Sequence, residues 1–367
     1  MMNDQLHVSI IYNEPVVTTQ DGRKYVSASG LVNTNDSFEK AHEAGMLDMS
    51  EVGVLEQKED IESALKELGY RTSIFNVTND IDGFIRFLKE DSPDVVFNMV
   101  ESLGDQAIYE TYVAGMYELL RIAYTGAGPM TLGTCLDKAR TKVILSHYGI
   151  KTPKFFLCAK PEDVATRAKD VSFPMIVKPA LEDASVGIEN NSIVRSAGEL
   201  DRRVRFIITK YEQPALVEEY IEGRELNVAI LGDTHPEVLP ISEIDFSALP
   251  DGMPNIVTYN AKWMHNTPEY LGTVGKCPAV LPPDVEQCVK ETAFRAFKLM
   301  GCGDYTRVDI RLSQENVPCV IEVNPNPDIS DDAGFMRSAK ASGRTFADVI
   351  RTIIECAVER HRLSRPI

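Results

Sequence analysis

The sequence predicts an α/β protein whose central and C-terminal parts are α+β. Two observations carry this. Between residues 6 and 125, short apolar strands alternate with amphipathic helices, which implies a mostly parallel sheet. From Leu226 the pattern turns strand-rich and closes with helices at 283–299 and 345–362. Leu6–Tyr12 reads as the first strand, entering a turn at Asn13-Glu14-Pro15. Residues 16–50 are small and polar with no sustained period, so the 13–55 region reads as an insertion or long loop and a candidate lid. Glu59–Leu68 has helical period and stops at Gly69, a suitable C-cap. Tyr70–Val77 (strand), Ile81–Glu90 (helix), Asp94–Met99 (strand), Ile108–Leu120 (helix) and Ile122–Thr125 (strand) follow. Thr125-Gly-Ala-Gly-Pro129 then punctuates the chain. A helix over Asp137–Tyr148 opens a second unit, with another starting near Pro161 and strands at Phe173–Lys178 and Leu216–Glu222. The expected units are 1–130, 131–225 and 226–367.

A chain of 367 residues can hold two or three cores of its own. Its composition, 44% hydrophobic and 25% charged, is that of a soluble globular protein. The net charge of −17 and the absence of any basic run beyond Arg202-Arg203 with Arg205 argue against nucleic acid as a partner. Seven cysteines, an odd number without Cys-x-x-Cys spacing, fit a reducing cytoplasm better than a zinc site or a disulfide framework. No signal-peptide pattern opens the chain, and no apolar run approaches the ~20 residues that span a bilayer. A cytoplasmic protein without a membrane partner is expected.

The most informative stretch is Tyr305-Thr-Arg307-Val-Asp309-Ile-Arg-Leu312, followed after Ser-Gln-Glu-Asn by Val317-Pro-Cys-Val-Ile-Glu322-Val-Asn324. Read as a hairpin turning between Glu315 and Asn316, it sets Arg307 opposite Asn324 and Asp309 opposite Glu322. Opposed residues share a face, so these four polar groups project to one side, and Val308, Ile310, Ile321 and Val323 to the other. Two carboxylates, an amide oxygen and a guanidinium on a rigid sheet make an oxygen-rich seat for Mg²⁺ with a cation beside it. A solvated face with a surface ion pair is the alternative.

Asp309 with Glu322-Val-Asn324 resembles the metal signature of the ATP-grasp ligases, and the flanking sequence is most similar to the D-alanine–D-alanine ligase branch. Ile176-Val-Lys178-Pro179, Val217-Glu218-Glu219, Gly223-Arg-Glu225 and Ala261-Lys262 match in order over roughly residues 94–357. The resemblance implies an ATP-grasp fold behind an N-terminal parallel-sheet domain. It also implies an ATP-dependent ligase that joins a small-molecule carboxylate to an amine through an acylphosphate. Two Mg²⁺ ions, or Mn²⁺ in their place, would be held by Asp309, Glu322 and Asn324. Lys138 and Lys178 would meet nucleotide phosphates, and Lys262 would reach the γ-phosphate. Glu218, with the backbone after it at Glu219, would receive the adenine amino group, and Glu225 the ribose hydroxyls. Ser185 and Gly187 belong to the small-residue loop over the phosphates. Arg307 would serve the carboxylate, the departing phosphate and the oxyanion. A homodimer is what the family suggests. From the residues alone, Lys138–Lys142 also reads as a solvated helix face, and Trp263 either closes over the site or is a partly buried aromatic.

The chain departs from the family at Asp183-Ala184, where glycine and serine are usual, and at Asp328 and Ala333, where a glycine and a serine are usual. Glu101-Ser102 stands where the family has His-Gly. Glu101 follows a strand's carboxyl end, where open α/β sheets place ligands, although an ordinary loop fits equally. Asp328, Asp331 and Asp332 either surround the acceptor or serve local turns. The expected function is therefore a ligase with altered acceptor specificity. A true D-alanine–D-alanine ligase and a catalytically silent nucleotide-binding protein are the rivals.

Overall fold

The computed structural model describes residues 5–14, 16–19, 22–25, 53–103, 106–168, 171–331 and 333–364. Strand β1 (His7–Tyr12) is followed by β2 (Val16–Thr19) and β3 (Gly22–Tyr25), which pair antiparallel as a short hairpin. Part of the expected 13–55 insertion is thus regular structure, two β-prone tetrads paired from Val16 with Tyr25 to Thr19 with Gly22. Most of the remaining insertion lies outside the described residues. Next come α1 (Gly53–Glu67), β4 (Arg71–Asn76), α2 (Ile81–Asp91), β5 (Val95–Met99), α3 (Tyr109–Leu120) and β6 (Ala123–Tyr124). The strands form a parallel sheet in the order β4-β1-β5-β6, as the β/α alternation implies.

Two helices not foreseen as a pair, α4 (Pro129–Leu136) and α5 (Lys138–His147), come next. Asp137 caps α5 by accepting from Arg140 N, which leaves both short helices able to turn against each other. Strand β7 (Phe155–Cys158), α6 (Asp163–Arg167), β8 (Met175–Pro179), β9 (Ile193–Val194), α7 (Ala197–Tyr211) and β10 (Ala215–Glu219) build a second, antiparallel sheet in the order β7-β10-β8-β9. Helix α7 escaped the sequence reading. It is started by the Ser196 cap and lays Leu200, Val204 and Ile207 on Val177 and Val217.

The third sheet comprises β11 (Gly223–Leu231), β12 (Glu237–Val238), β13 (Ser242–Asp245), β14 (Val274–Lys276), β15 (Tyr305–Ser313) and β16 (Pro318–Asn324). Its order is β14-β13-β11-β15-β16, with β12 also on β11. Short helices α8 (Tyr259–Trp263) and α9 (Pro268–Leu271) precede β14. Helix α10 (Pro283–Met300) packs Val289, Ala293 and Phe297 against Val228, Ile310 and Val323. Cys135 and Leu145, from α4 and α5, join that same core.

The last two helices are α11 (Gly334–Ala341) and α12 (Phe346–Ser364). Val349, Ile350 and Ile353 of α12 return to cover Val8, Ile10 and Val95 of the first sheet, beside Ile61 and Leu65 of α1. The opposite face of that sheet is covered by Phe84 and Leu88 of α2 with Val113 and Tyr117 of α3. Among the described residues no helix is long and apolar enough to cross a membrane, and all seven cysteines are free thiols.

One ion pair ties α12 and the segment between β6 and α4 to the start of β15. Asp304, 0% exposed, accepts from Gly126 N at 2.9 Å and pairs with Arg360 of α12. Arg360 also donates to Tyr124 O at 2.7 Å and Gly126 O at 3.1 Å. Arg360→Met leaves a buried carboxylate with a single amide partner. It is expected to destabilise the fold by roughly 3 kcal/mol, read as a lower urea midpoint. An unchanged midpoint would show that the pair contributes nothing net.

Candidate active site

The second and third sheets face each other across a cleft of ≈ 1270 Å³. Single-ligand pockets are roughly 300–1,000 Å³, so there is room for a nucleotide and a second molecule. The floor is the expected hairpin. Arg307 pairs with Asn324 and Asp309 with Glu322, and all four side chains line the cleft. The solvated-face alternative fails here, since Asp309 is buried and gripped by Arg307 at 2.8 and 2.9 Å. Next to it, Asn227 of β11 donates to Asp309 Oδ1 at 2.8 Å.

Beyond Asp309 the register slips by one, so that Ile310 pairs with Val320. The expectation for Ile321 is therefore corrected. It is the extra residue of a bulge and lines the cleft, while Val320 takes its place in the core. The bulge has a chemical consequence. The Ile321 carbonyl accepts from Lys142 Nζ at 2.9 Å.

Lys138 and Lys142 begin α5 on its inward side, and neither is solvated. Lys138 Nζ lies 2.8 Å from Glu322 Oε1 and also binds Asp183. Burial opposes the charge of Lys138, but those two carboxylates raise its pKa. Burial likewise works against ionised Glu322, which Lys138 nevertheless holds well below the usual carboxylate range. Asp183 moves the other way, pushed up to about 6 by burial against the pull of Lys138.

Lys142, only 1% exposed, sits 3.0 Å from Glu218 Oε1, and Lys178 of β8 sits 3.0 Å from Glu218 Oε2. Burial disfavours the Glu218 anion, but the two ammoniums lower its pKa. Burial pulls Lys142 down to about 8. Glu218 Oε1 has an ion-pair neighbour yet no hydrogen bond, leaving a buried acceptor unused at the cleft wall. Glu219 lines the same wall, with its N–H donating to Lys154 O at 2.8 Å.

Glu225, opposite Arg311 on the neighbouring strand, accepts from that guanidinium at 3.0 Å. Burial raises Glu225, and Arg311 opposes the rise. Arg311 was missed, although the alternation 307, 309, 311 places it on the same face.

The loop after β8 is the part of the site that the sequence described least well. Ser185 Oγ donates to Val257 O at 3.0 Å, and Trp263 Nε1 to Ala184 O at 2.9 Å. Trp263 thus closes onto the loop instead of being only a buried ring, and Lys262 Nζ lies 4.7 Å from its ring centre. Gly187 sits between two cleft-lining residues, Val186 and Ile188, in a left-handed conformation. At φ +72° a Cβ there would come within 2.6 Å of Pro179, and Gly187 is not part of the cleft lining.

Of the residues expected around the acceptor, Glu101, Asp328 and Asp331 line the cleft. Asp328 Oδ1 accepts from Gln57 Nε2 at 3.0 Å and Ser330 N at 2.8 Å, which supports the turn role while keeping it at the wall. Asp331 is at the rim, 78% exposed and paired with Lys340 at 2.5 Å. Asp332 lies outside the described residues. Glu56 and Asp60 of α1, unforeseen, add two more carboxylates to the lining, and Arg337 of α11 adds a guanidinium.

The donor set fits a hard divalent cation that arrives with phosphate oxygens. Asp309, Glu322 and Asn324 offer only oxygen, and no cluster of three acidic, histidine or cysteine side chains among the described residues would hold a metal alone.

Because Lys142 neutralises Glu218 from a position without water, Lys142→Met should lower unfolding stability by about 3 kcal/mol or more. A denaturant midpoint equal to that of the unmodified protein would show that Glu218 is not held as an anion.

Comparison with known proteins identifies the family of this chain. A family model described as the D-ala D-ala ligase C-terminus matches residues 144–355. The chain is 31% identical over 311 residues to the uncharacterized protein y4sG of Sinorhizobium fredii, covering 83% of this chain and 88% of that one. It is 31% identical over 245 residues to a D-alanine–D-alanine ligase of Nitrosospira multiformis, covering 67% of this chain and 74% of that one. In three dimensions it resembles the D-alanine–D-alanine ligase from Bacillus anthracis complexed with ATP. The TM-score is 0.69 at 20% identity, covering 98% of this chain and 100% of that one. Ordered motifs, the three-sheet fold and the matched family place the chain in the D-alanine–D-alanine ligase family, as an ATP-dependent, ADP-forming ligase that makes carbon–nitrogen bonds.

Proposed function

We propose that this ligase joins a small carboxylate to an amine or amino acid other than D-alanine, with the nucleotide lying between Lys138, Lys178 and Lys262. The unused Oε1 of Glu218 suits an adenine amino group, and Glu225 suits ribose hydroxyls. Ile176 and Ile321 supply apolar lining for a planar base. Asp309, Glu322 and Asn324 would hold Mg²⁺, which when bound neutralises phosphate charge as it transfers. The donor carboxylate takes the terminal phosphoryl group and ADP leaves. The amine then attacks the acyl carbon, loses a proton, and expels phosphate. Arg307, fixed by Asp309, would stabilise the negative charge that develops on the oxygen of that carbon.

The observation that carries the acceptor assignment is Asp328, a carboxylate where the family has glycine, together with Ala333 where it has serine. Glu56, Asp60, Glu101 and Glu110 line the same cleft. Glu110 is raised well above its ordinary value by burial, with Glu101 and Asp183 adding to the rise. Such a wall disfavours a free acceptor carboxylate and tolerates a neutral or cationic amine. Small-molecule substrates, a cytoplasmic setting and a homodimer complete the reading.

Two measurements test it. Glu322→Gln keeps shape but removes a charge, and turnover should fall roughly 100-fold or more. Near-normal turnover of the folded variant would remove the hairpin from catalysis. ADP release screened over D-alanine, other amino acids and simple amines should favour an acceptor without a free carboxylate. Efficient D-alanyl-D-alanine synthesis would overturn the acceptor assignment and leave the ligase assignment standing.

A further inference from the structure

The loop between β8 and β9 is held in an unfavourable shape. Ala184 and Ser185 are consecutive non-glycine residues with φ of 53° and 62°. Left-handed backbone costs L-residues roughly 1–2 kcal/mol each, and one such residue after another is unusual. Something must hold them there. Three contacts do so, and they reach different parts of the cleft. Trp263 Nε1 binds Ala184 O at 2.9 Å, Ser185 Oγ binds Val257 O at 3.0 Å, and the Asp183 carboxylate binds the ammonium of Lys138.

That last contact bears on binding. Lys138 is buried, and its ammonium is engaged by Asp183 and by Glu322. A nucleotide phosphate needs the same donor. Carboxylate and phosphate oxygens are both anionic acceptors, so they compete for one ammonium and cannot both have its full charge. Asp183 and Glu322 converge on the one ammonium of Lys138 from opposite parts of the cleft, the loop and the hairpin. A glycine at position 183 would have no group to place there.

We propose that Asp183 is an internal stand-in for a nucleotide phosphate, so that nucleotide reaches Lys138 only after the 181–187 loop releases the carboxylate. This rests on the ligase reading, because it requires phosphate at Lys138. Release breaks the ion pair and frees Ala184 and Ser185 from their left-handed conformation, which offsets part of the cost. Apparent nucleotide affinity is then reduced by the fraction of molecules in which the loop is already released. Asp183 thereby sets the nucleotide concentration at which the enzyme fills.

Trp263, the only tryptophan in the chain, reports on the loop through its bond to Ala184. The test uses the full chain, with Asp183→Asn and Asp183→Gly as variants. Calorimetric titration with ATP and Mg²⁺ gives affinity, and stopped-flow tryptophan fluorescence gives the binding rate. Both variants should bind on the order of tenfold tighter, the correction for a released fraction near one tenth. The unmodified protein should show a rate that levels off as nucleotide rises, and the variants a rate without that ceiling. Asp183→Asn preserves volume and carries the test if the glycine variant fails to fold. Unchanged or weaker binding in the folded variants, or a rate that stays linear in the unmodified protein, overturns the inference. Failure of every form to bind nucleotide would instead overturn the ligase reading.

Discussion

Glu218 has almost no contact with water and lies 3.0 Å from each of two lysine ammoniums, and the arrangement of the cleft floor follows from keeping that carboxylate charged. Lys142 comes from α5, Lys178 from β8 and Glu218 from β10, so one charge cluster joins a helix to two neighbouring strands. Removing water from three charges is costly, and their attraction repays it only in close, well-oriented geometry. The bulge at Ile321 contributes by turning a backbone carbonyl toward Lys142, which gives the ammonium a partner besides the carboxylate. A regular hairpin would keep that carbonyl in the ladder.

A second cluster lies alongside, formed by Lys138, Asp183 and Glu322. The two clusters differ in how replaceable their members are. Glu218 is locked between groups from regular elements. Asp183 is carried by a strained loop and shares its ammonium with Glu322. Rigid charges preorganise a site for phosphate, whereas a charge on a strained loop can leave it. The same contrast separates Arg307, gripped by a buried strand carboxylate, from Asp331, exposed at the rim beside Lys340.

The remaining architecture supports this floor from a distance. Helix α10 and the β11–β15 pair form one core beneath the hairpin, with α4 and α5 joining it and so carrying Lys138 and Lys142 into place. Helix α12 runs back to the first sheet, and its Arg360 fastens the start of α4 to the loop before β15 through Asp304. Segments far apart in the chain are therefore fixed relative to the same strands.

The sequence by itself determined the β/α order of the first sheet and the facing pairs Arg307–Asn324 and Asp309–Glu322, and the family resemblance named Lys138, Lys178, Glu218, Glu225 and Lys262, which the fold brings to one cleft. These are local: a period of two decides faces, and motifs carry their own spacing. Tertiary structure alone decided that Lys142 is buried, that Ile321 leaves the core for the cleft, that Gly187 packs tightly against Pro179 and that Asp183 occupies Lys138. It also decided that α12 covers the first strand. Each of these depends on contacts between residues from 8 apart, as with Gly187 and Pro179, to several hundred apart, as with Val8 and Ile350. Side-chain period carries no information about such partners. Whether a lysine is solvated or sealed against a carboxylate is decided only when the second strand arrives.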